Sequence, residues 1–407
     1  MSVLQKAMPD PGGMAAQFRE LFGDEKPRLF FAPGRVNLIG EHTDHEGGHV
    51  FPCAISFGIW ALAAARPGEV VRLCSLNFEE EGVVEAPLRG VEFDSARGWA
   101  NYPLGVIRVL EDHGHALSSG LDVLFWGNLP EGAGLSSSAA IEVLTARAAN
   151  DLFGLGLDGV ELAVLSQEAE NKFIGVQCGI MDQFASSMGR KDHAILLDCA
   201  KLDYRYAPLA LDGGRGPQSR PCRLVITNSN VPHSLASSEY NLRRQQCEAA
   251  LADIARVRPV QNLCELTMEE FDAVKDAIRT PEALRRARHA VTENTRTLRA
   301  VKALESGDLW AFGRLMRESH LSLRDDYQVT IPELDALAEL AWAQPGVVGS
   351  RMTGGGFGGC TISIVEEAAV EAFIREVGES YTKRTGRMAS FYVTDTSDGA
   401  RRVTDEP

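Results

Sequence analysis

The chain has no long apolar segment and no basic one. Its longest apolar stretch, residues 51–65, contains Ser56 and Gly58 and is shorter than the roughly 20 residues that span a bilayer. A buried strand is expected there, and no membrane partner. Lys and Arg total 41 against 56 Asp and Glu, a net charge of -15, which would repel a polyphosphate backbone. We therefore expect no nucleic acid partner.

Cysteine is sparse and scattered. The eight cysteines form no CxxC pair and no dense framework, so a disulfide scaffold is not indicated and reduced thiols are the simplest interpretation. The first residues, MSVLQKAMPDPGG, lack the basic stretch and the apolar run of a signal peptide. These features predict a cytoplasmic protein. No repeat at a fixed period is present, which argues against solenoids and propellers.

The length of 407 residues predicts two domains with a cleft between them, because one core does not grow to that size. The stretch LDGGRGPQSRP at residues 211–221 is rich in Gly, Pro and polar residues, and we expect the boundary there. The predicted lobes are residues 1–210 and 211–407.

Apolar patterns place the main elements of both lobes. Strands are predicted at residues 29–31, 50–65 and 121–125, and later at 222–228 and 360–365. Ile141, Leu144, Ala148 and Leu152 share one face of a predicted helix. A second helix should begin at Asp158 with a capping box. Helix formers dominate residues 239–316, so the second lobe is expected to mix α and β structure.

A Gly/Ser turn follows the strand at residues 121–125 and opens the first helix. It reads Gly132-Ala133-Gly134-Leu135-Ser136-Ser137-Ser138. A glycine turn at a helix N-terminus lets backbone N–H groups approach a phosphate, and a hydroxyl such as that of Ser138 can reach a bound cation. The turn lacks the GK[ST] ending of a Walker loop. A simple N-cap in a Gly-rich turn is an equally favoured interpretation.

A second glycine cluster, TGGGFGG at residues 353–359, formally contains GxGxxG. The residues after it, CTISIV, are strand-like, whereas a dinucleotide site requires a helix. A Rossmann site is therefore excluded. Consecutive glycines indicate a backbone that passes close to a ligand or to another segment, although a structural turn is favoured for this segment alone.

A dense polar group lies within fifteen residues of the first lobe. Its members are Arg35, Asn37, Glu41, His42, Thr43, Asp44, His45 and His49. Such a set suits hydrogen bonding to a polyhydroxyl ligand. A zinc site and a solvated turn are the alternatives. Gly47 and Gly48 argue against zinc, because they interrupt any helix that would align His45 with His49.

In chain order these three segments resemble the GHMP small-molecule kinases, and GRVNLIGEHTD resembles the galactokinase signature. Further similar stretches are GIMDQF at residues 179–184, ITNSNVPHSLASSEY, SLRDDY, PELD and SRMTGGGFGGCT. The resemblance covers residues 32–361. It implies a two-lobed α+β fold, with an N-terminal ribosomal S5-like α/β lobe, a C-terminal ferredoxin-like α+β lobe and the active site in the cleft.

The resemblance also implies roles for individual residues. The phosphate loop of an ATP site would be residues 132–138, and Ser138 with Glu170 would hold magnesium. An adenine pocket would include Trp99 and Tyr102, for which core packing is equally favoured. The sugar-binding residues would be Glu41, His42, Asp44, Gly179, Asp182 and Tyr240.

Two residues are expected to carry the chemistry. Asp182 would take the proton of the attacking hydroxyl, and Arg35 would keep that carboxylate ionised and offset charge on the phosphoryl group. A helix-capping or turn role is the alternative for Asp182. The expected reaction is phosphorylation of the anomeric hydroxyl of α-D-galactose by ATP, the first committed step of galactose catabolism. The protein is expected to be a monomer.

Two positions depart from the family pattern. His45 stands where galactokinases commonly have Tyr, and Pro103-Leu104 stands where Val-Lys is usual. The first keeps open a kinase acting on arabinose, galacturonate or N-acetylgalactosamine. A non-catalytic ligand sensor is a further alternative, but sensors lose the Ser-Ala step that Ser138-Ala139 retains here.

Overall fold

The computed structural model describes residues 11–130, 132–209, 211, 220–231 and 236–404. Within those ranges the chain forms thirteen strands and eleven α-helices. The strands are β1 Arg28–Asn37, β2 His49–Val50, β3 Pro52–Arg66, β4 Val70–Ser75, β5 Val84–Pro87, β6 Gly120–Gly127, β7 His193–Asp198, β8 Asp203–Pro208, β9 Cys222–Asn228, β10 Val347–Thr353, β11 Cys360–Glu366, β12 Ser390–Thr394 and β13 Arg401–Val403. The helices are α1 Pro11–Phe22, α2 Asn101–Asp112, α3 Ser137–Phe153, α4 Gly159–Glu168, α5 Met181–Met188, α6 Ala236–Ile254, α7 Met268–Val274, α8 Pro281–Glu305, α9 Leu309–Ser322, α10 Pro332–Trp342 and α11 Val370–Thr385.

The first lobe is built on a six-stranded sheet in the order β13-β1-β3-β6-β4-β5, with only β4 and β6 parallel. Side chains of β3 alternate between the two faces, as expected for a strand buried on both sides. Ala61 and Ala63 pack toward α2 and α3, whereas Leu62 and Ala64 pack toward Phe18 of α1. Helices therefore cover both faces of this sheet.

The second lobe is built on an antiparallel four-stranded sheet in the order β10-β11-β9-β12. Leu224 and Ile226 of β9 face Phe312 of α9, and the intervening Val225 faces Phe373 of α11. This alternation buries one face against α8 and α9 and the other against α10 and α11, which gives the mixed α and β lobe that the composition predicts.

The two lobes share one buried core. Val36 of β1 and Phe51 lie in the same apolar cluster as Ile226 of β9 and Phe312 of α9. The last strand, β13, returns to the first lobe and pairs with β1 at Leu29. Both features join the two lobes, and the functional segments converge beside the shared core.

The helix predictions for the first lobe are confirmed. The helix predicted from the spacing of residues 141–152 is α3, and α4 has the capping box between Asp158 and Glu161. The strand predicted at residues 29–31 was placed too short, because β1 continues to Asn37 through a register shift between Pro33 and Arg35. Such an irregularity lets a strand pass a proline, which cannot donate to the sheet.

The predicted lobe boundary lies mostly outside the described residues, since residues 210 and 212–219 are not among them. The division at 210 and 211 therefore stays a prediction. No helix in the described part of the chain is both long and apolar enough to cross a bilayer.

Candidate active site

The loop that follows β1, residues 38–49, is called the polar loop and is held in place by helix α8. The carboxylate of Glu293 accepts a hydrogen bond from the Gly40 N–H at 3.0 Å. The His289 Nε2 lies 3.0 Å from the Glu41 carbonyl oxygen, and the Asn294 Oδ1 accepts from the His49 N–H at 2.9 Å. Sequence reasoning missed these helix residues, although His289 and Glu293 are four residues apart, and that spacing on one helix face was the available signal.

Glu41 joins the polar loop to the second glycine cluster. Its buried carboxylate accepts hydrogen bonds from Arg351 Nη1 at 3.0 Å, from the Asn37 side chain and from the Gly354 N–H. Burial raises the pKa of Glu41, and the charges of Arg351 and Arg35 oppose that rise. The glycine cluster at residues 353–359 therefore approaches another segment closely, as its composition indicates.

His42, next to Glu41, has a buried and neutral imidazole ring. Its ring stacks on Tyr327 with ring centres 4.6 Å apart, and Tyr240 packs beside it at 5.6 Å. Burial and the neighbouring His45 lower the pKa of His42 well below its ordinary value. The Nε2 atom is buried without a hydrogen-bond partner among the described residues. It is thus available to a ligand hydroxyl.

Asp44 and Gly179 fit against each other without spare room. A Cβ atom added to Gly179 would overlap the Asp44 carboxylate, so only glycine allows this approach. Asp44 accepts hydrogen bonds from the His45 N–H and Nδ1, both at 3.1 Å. Burial opposes ionisation of Asp44, but the hydrogen bond and charge of His45 outweigh it and lower the pKa of Asp44.

Asp182 and Arg35 form a two-pronged ion pair. Arg35 donates from Nε to Asp182 Oδ1 and from Nη2 to Oδ2, each at 2.7 Å. Ser136 Oγ donates to Asp182 Oδ2 at 2.6 Å, and Arg35 Nη1 donates to the Gly134 carbonyl at 2.8 Å. Burial disfavours the charged guanidinium, yet Asp182 raises the pKa of Arg35 on balance. The pair therefore links β1, the first turn of α5 and the Gly/Ser turn.

The Gly/Ser turn adopts a tightly curled backbone before α3. Gly132, Gly134 and Ser136 have φ of 63°, 68° and 63°, in the left-handed region that favours glycine. Ser136 occupies the N-cap position, but its side chain makes no capping hydrogen bond and contacts Asp182 instead. Leu135 is buried in the shared core. These contacts disfavour a simple N-cap interpretation for this turn.

The two glycine segments face each other. A Cβ atom added to Gly354 would lie 3.2 Å from the Gly134 carbonyl oxygen. The backbones therefore approach closely at the mouth of the cleft, one from each lobe.

A cavity of about 360 Å³ opens beside the ion pair. Its walls include all of the predicted sugar-binding residues, namely Glu41, His42, Asp44, Gly179, Asp182 and Tyr240, and also the predicted catalytic Arg35. Sequence reasoning missed other lining residues, including Gln177, Met181 and Asn241. Met181 lies within the family-like stretch GIMDQF, but Gln177 and Asn241 lie outside the stretches that the sequence singles out.

A second cavity of about 220 Å³ lies at the N-terminal end of α3. Trp99, Tyr102, Ser137 and Ser138 line it, together with Phe78, which the sequence does not single out. Trp99 also packs against Phe78 and against the core, so wall and core roles coexist for this ring. Gly132, Gly134, Leu135 and Ser136 are not among the described lining residues of either cavity.

Ser138 and Glu170 connect the two cavities. Ser138 lines the second cavity and Glu170 lines the first, and the Ser138 hydroxyl acts to lower the pKa of the Glu170 carboxyl. Glu170 lies in a π-helical turn, Ala169–Ile174, that continues α4. Burial and the charge of Asp182 raise the pKa of Glu170. The hydroxyl and the carboxylate are ligand types that magnesium accepts.

Two of the three histidines of the polar loop, His45 and His49, are held by other side chains. His45 Nδ1 contacts Asp44, and His49 Nδ1 lies 2.9 Å from the Asn294 Oδ1. Among the described residues no group of three or more His, Cys, Asp or Glu side chains is arranged to hold a metal ion. Gly47, with φ of 67°, ends the short helix at Asp44–Glu46, as the sequence indicates.

Comparisons with known proteins agree with this geometry. Residues 16–65 match the galactokinase galactose-binding signature, and residues 101–190 and 300–383 match the N-terminal and C-terminal GHMP kinase domains. The galactokinase of Clostridium beijerinckii is 51% identical over 96% of this chain and 98% of its own length.

Solved structures give the same result. The Lactococcus lactis galactokinase complexed with galactose matches with a TM-score of 0.92 and 44% identity over 96% of this chain and 99% of that one. The Methanococcus jannaschii mevalonate kinase, at 17% identity and a TM-score of 0.62 over 93% and 100% of the two chains, shares the two-lobed fold. The fold prediction is confirmed, and the chain belongs to the galactokinase family of the GHMP kinases.

Proposed function

We propose that this protein transfers the γ-phosphoryl group of ATP to the anomeric hydroxyl of α-D-galactose, which yields galactose 1-phosphate and ADP. One observation carries the proposal: the ion pair of Asp182 and Arg35 joins a cavity lined by sugar-type ligands to the Gly/Ser turn. The galactokinase relatives that align along nearly the whole chain support the same reaction. The reaction would be the first committed step of galactose catabolism.

The ion pair suits proton removal and charge neutralisation at one place. Asp182 has a carboxylate in the sugar cavity and can accept the proton of the attacking hydroxyl. Arg35 reaches both Asp182 and the Gly134 carbonyl, so its charge lies where the transferred phosphoryl group would pass. Ser136 donates to the carboxylate and fixes its orientation. Positioning and electrostatics would supply most of the acceleration.

The sugar cavity offers a mixture of acceptors and donors. The carboxylates of Glu41 and Asp44 are acceptors, and the unpartnered Nε2 of His42 can pair with a hydroxyl. Tyr240 closes one wall with an aromatic ring. This arrangement suits a ring with several hydroxyl groups better than an apolar ligand.

The nucleotide would occupy the second cavity, with its phosphates at the Gly/Ser turn. Trp99 and Tyr102 offer aromatic surface for adenine, and Ser137 and Ser138 lie at the start of α3, where N–H groups favour anions. Ser138 and Glu170 are the proposed magnesium ligands. When bound, magnesium would offset the negative charge of the phosphates.

A sugar panel tests the proposal. ADP release is measured with galactose, arabinose, galacturonate and N-acetylgalactosamine, and the galactose product is identified by its anomeric phosphate signal in ³¹P NMR. Galactose should have the highest kcat/KM, and its phosphate should be on the anomeric oxygen. A higher value for another sugar would replace galactose as the substrate, an outcome that His45 beside Asp44 makes worth testing. Galactose binding without turnover would indicate a sensor.

A further inference from the structure

His45 lies directly behind the sugar cavity, between two carboxylates. Its side chain is 2% exposed, with Nδ1 3.1 Å from Asp44 Oδ1 and Nε2 3.5 Å from Glu46 Oε1. Nε2 also lies 3.3 Å from the Tyr327 hydroxyl. The ring does not line the sugar cavity itself. It contacts a residue that does, since Asp44 is part of the cavity wall.

The Asp44 carboxylate is held from two sides. One oxygen, Oδ1, accepts from the His45 backbone and ring, and the other, Oδ2, lies against Gly179, where a Cβ atom would overlap it. The imidazole therefore fixes one carboxylate oxygen by a hydrogen bond, and the Gly179 backbone limits the position of the other. A carboxylate fixed in this way is preorganised to accept hydrogen bonds from a sugar.

Charged and titratable groups surround His45 from every neighbouring element. Tyr240 and Arg244 face it from α6, and Tyr327 faces it from the π-helical turn Leu323–Tyr327 that follows α9. Cys199 lies on the far wall, in a polar cavity of about 390 Å³ that His45 also lines.

Within the polar loop itself, Asp44, Glu46 and His42 are the titratable neighbours of His45. Burial alone would lower the pKa of His45, but the hydrogen bond and charge of Asp44, together with Glu46, outweigh burial and raise it.

The experiment below spans pH 7 to pH 9, above the ordinary pKa of a histidine, and the pKa of His45 is shifted upward toward that range. Burial raises the pKa of Glu46 to about 6, so it is ionised throughout that range. The pKa of His42 is well below its ordinary value. Burial raises the pKa of Tyr240 and Tyr327 well above the range.

The thiols around His45 remain protonated in the same range. Burial raises the pKa of Cys199 well above its ordinary value, and it does the same for Cys247, whose pKa the charge of Glu46 raises further. Cys178 lines both the sugar cavity and the polar cavity beside His45, and burial raises the pKa of its thiol as well.

We propose that His45 is a positioning residue whose positive charge holds the Asp44 carboxylate in place for the sugar, so that sugar affinity weakens as pH rises. This role rests on the proposed function, because it assumes that galactose binds at Asp44. The imidazolium exists below its raised pKa and loses its charge above it. Galactose binding should therefore be tightest at neutral pH and weaker at alkaline pH.

The test compares His45→Gln and His45→Tyr with the wild-type enzyme between pH 7 and pH 9. Loss of a hydrogen bond to a charged group corresponds to a change of about 10-fold or more, so His45→Gln should raise the KM for galactose about 10-fold at pH 7 while kcat changes less than about 3-fold. The wild-type KM should rise with pH, whereas the KM of both variants should be flat over the same range. His45→Tyr restores the residue common in galactokinases and guards against a folding defect of the glutamine variant.

His113→Gln, at an exposed histidine of the first lobe, is the matched control and should behave as wild type. A His45→Gln enzyme with wild-type KM and wild-type pH response would overturn the proposal. So would a His45→Tyr enzyme that keeps the wild-type rise of KM with pH, or a loss confined to kcat. Absence of galactose turnover by the wild-type enzyme would overturn the proposed function, and the role of His45 with it.

Discussion

At the scale of single residues, the most informative feature is a group of buried acidic side chains in which two glutamates are bridged by a neutral glutamine. Gln183 Nε2 bridges Glu142 Oε2 at 3.1 Å and Glu170 Oε2 at 2.5 Å, and Asp182 lies nearby. Burial and the charge of Glu170 raise the pKa of Glu142 to about 10. The Glu142 Oε1 is buried without a partner among the described residues. A cation beside these carboxylates would favour their ionised forms.

Glu170→Gln tests whether Glu170 is a magnesium ligand. Removing a carboxylate ligand should raise the half-saturating magnesium concentration by about 10-fold or more. Direct binding of Mn²⁺, followed by electron paramagnetic resonance, should weaken in parallel. The control is Glu168→Gln, two residues away, where the carboxylate pairs with Lys172 instead. Equal metal affinity in the two variants would contradict the assignment.

The sequence predicted individual site residues better than it predicted their partners. Local composition singled out the polar loop and both glycine segments, because their residue types are unusual within short windows. The contact between Arg35 and Asp182 spans 147 positions, and no local pattern contains it. The reason that Gly179 must be glycine is likewise a tertiary one, since the side chain it would strike belongs to Asp44.

At the scale of secondary-structure elements, helix α8 supports the polar loop with buried polar side chains. Glu293 accepts from the Gly40 N–H and from Ser319 Oγ at 2.5 Å and pairs with Arg296. Burial opposes its ionisation, but Arg296 and His289 outweigh burial, and the pKa of Glu293 falls to about 2. A charged residue of this kind inside a helix packed on both sides is tolerated only because it is fully paired.

Glu293→Gln should therefore destabilise the protein in a pH-dependent way. At pH 7 the loss should be about 3 kcal/mol, as expected when a buried ion pair is broken. Because the folded pKa is depressed, the stabilisation is present above the unfolded pKa of about 4.3 and is lost as pH falls toward 2. Urea unfolding from pH 7 to pH 3 should show the difference from wild type shrinking below pH 4.3.

Glu318→Gln is the control for that experiment, since Glu318 is half-exposed and also lies near Arg296. It should cost less than about 1 kcal/mol at every pH. A Glu293→Gln variant with wild-type stability at pH 7, or a deficit that stays constant to pH 3, would contradict the account of α8.

Element types were predictable, whereas their irregularities were not. The helix periodicity and the capping box fixed α3 and α4, because each depends on residues within one or two turns. The extension of β1 past Pro33 and the π-helical turn after α4 depend on contacts outside those windows. In β1, a Cβ atom at Gly34 would lie 2.6 Å from the Leu135 carbonyl, so the strand is shaped by the Gly/Ser turn that crosses it.

At the scale of the whole molecule, the Gly/Ser turn, the polar loop and the second glycine cluster meet around the ion pair of Arg35 and Asp182 and the cavity beside it. Family resemblance predicted a two-lobed fold, and apolar residues of both lobes pack into one shared cluster. A two-domain prediction from length alone did not anticipate that β13 crosses back to the first sheet. A cytoplasmic location and a monomeric state remain predictions.

The most direct test of the account measures catalysis and sugar binding separately in Asp182→Asn. The substitution keeps the shape of the side chain but removes the charge that pairs with Arg35 and the site that accepts the proton. Galactose affinity by calorimetry should stay within about 10-fold of wild type, since the other sugar-side residues remain. The kcat for galactose 1-phosphate formation should fall by at least about 100-fold. A kcat near the wild-type value, with galactose binding intact, would contradict the central role of Asp182.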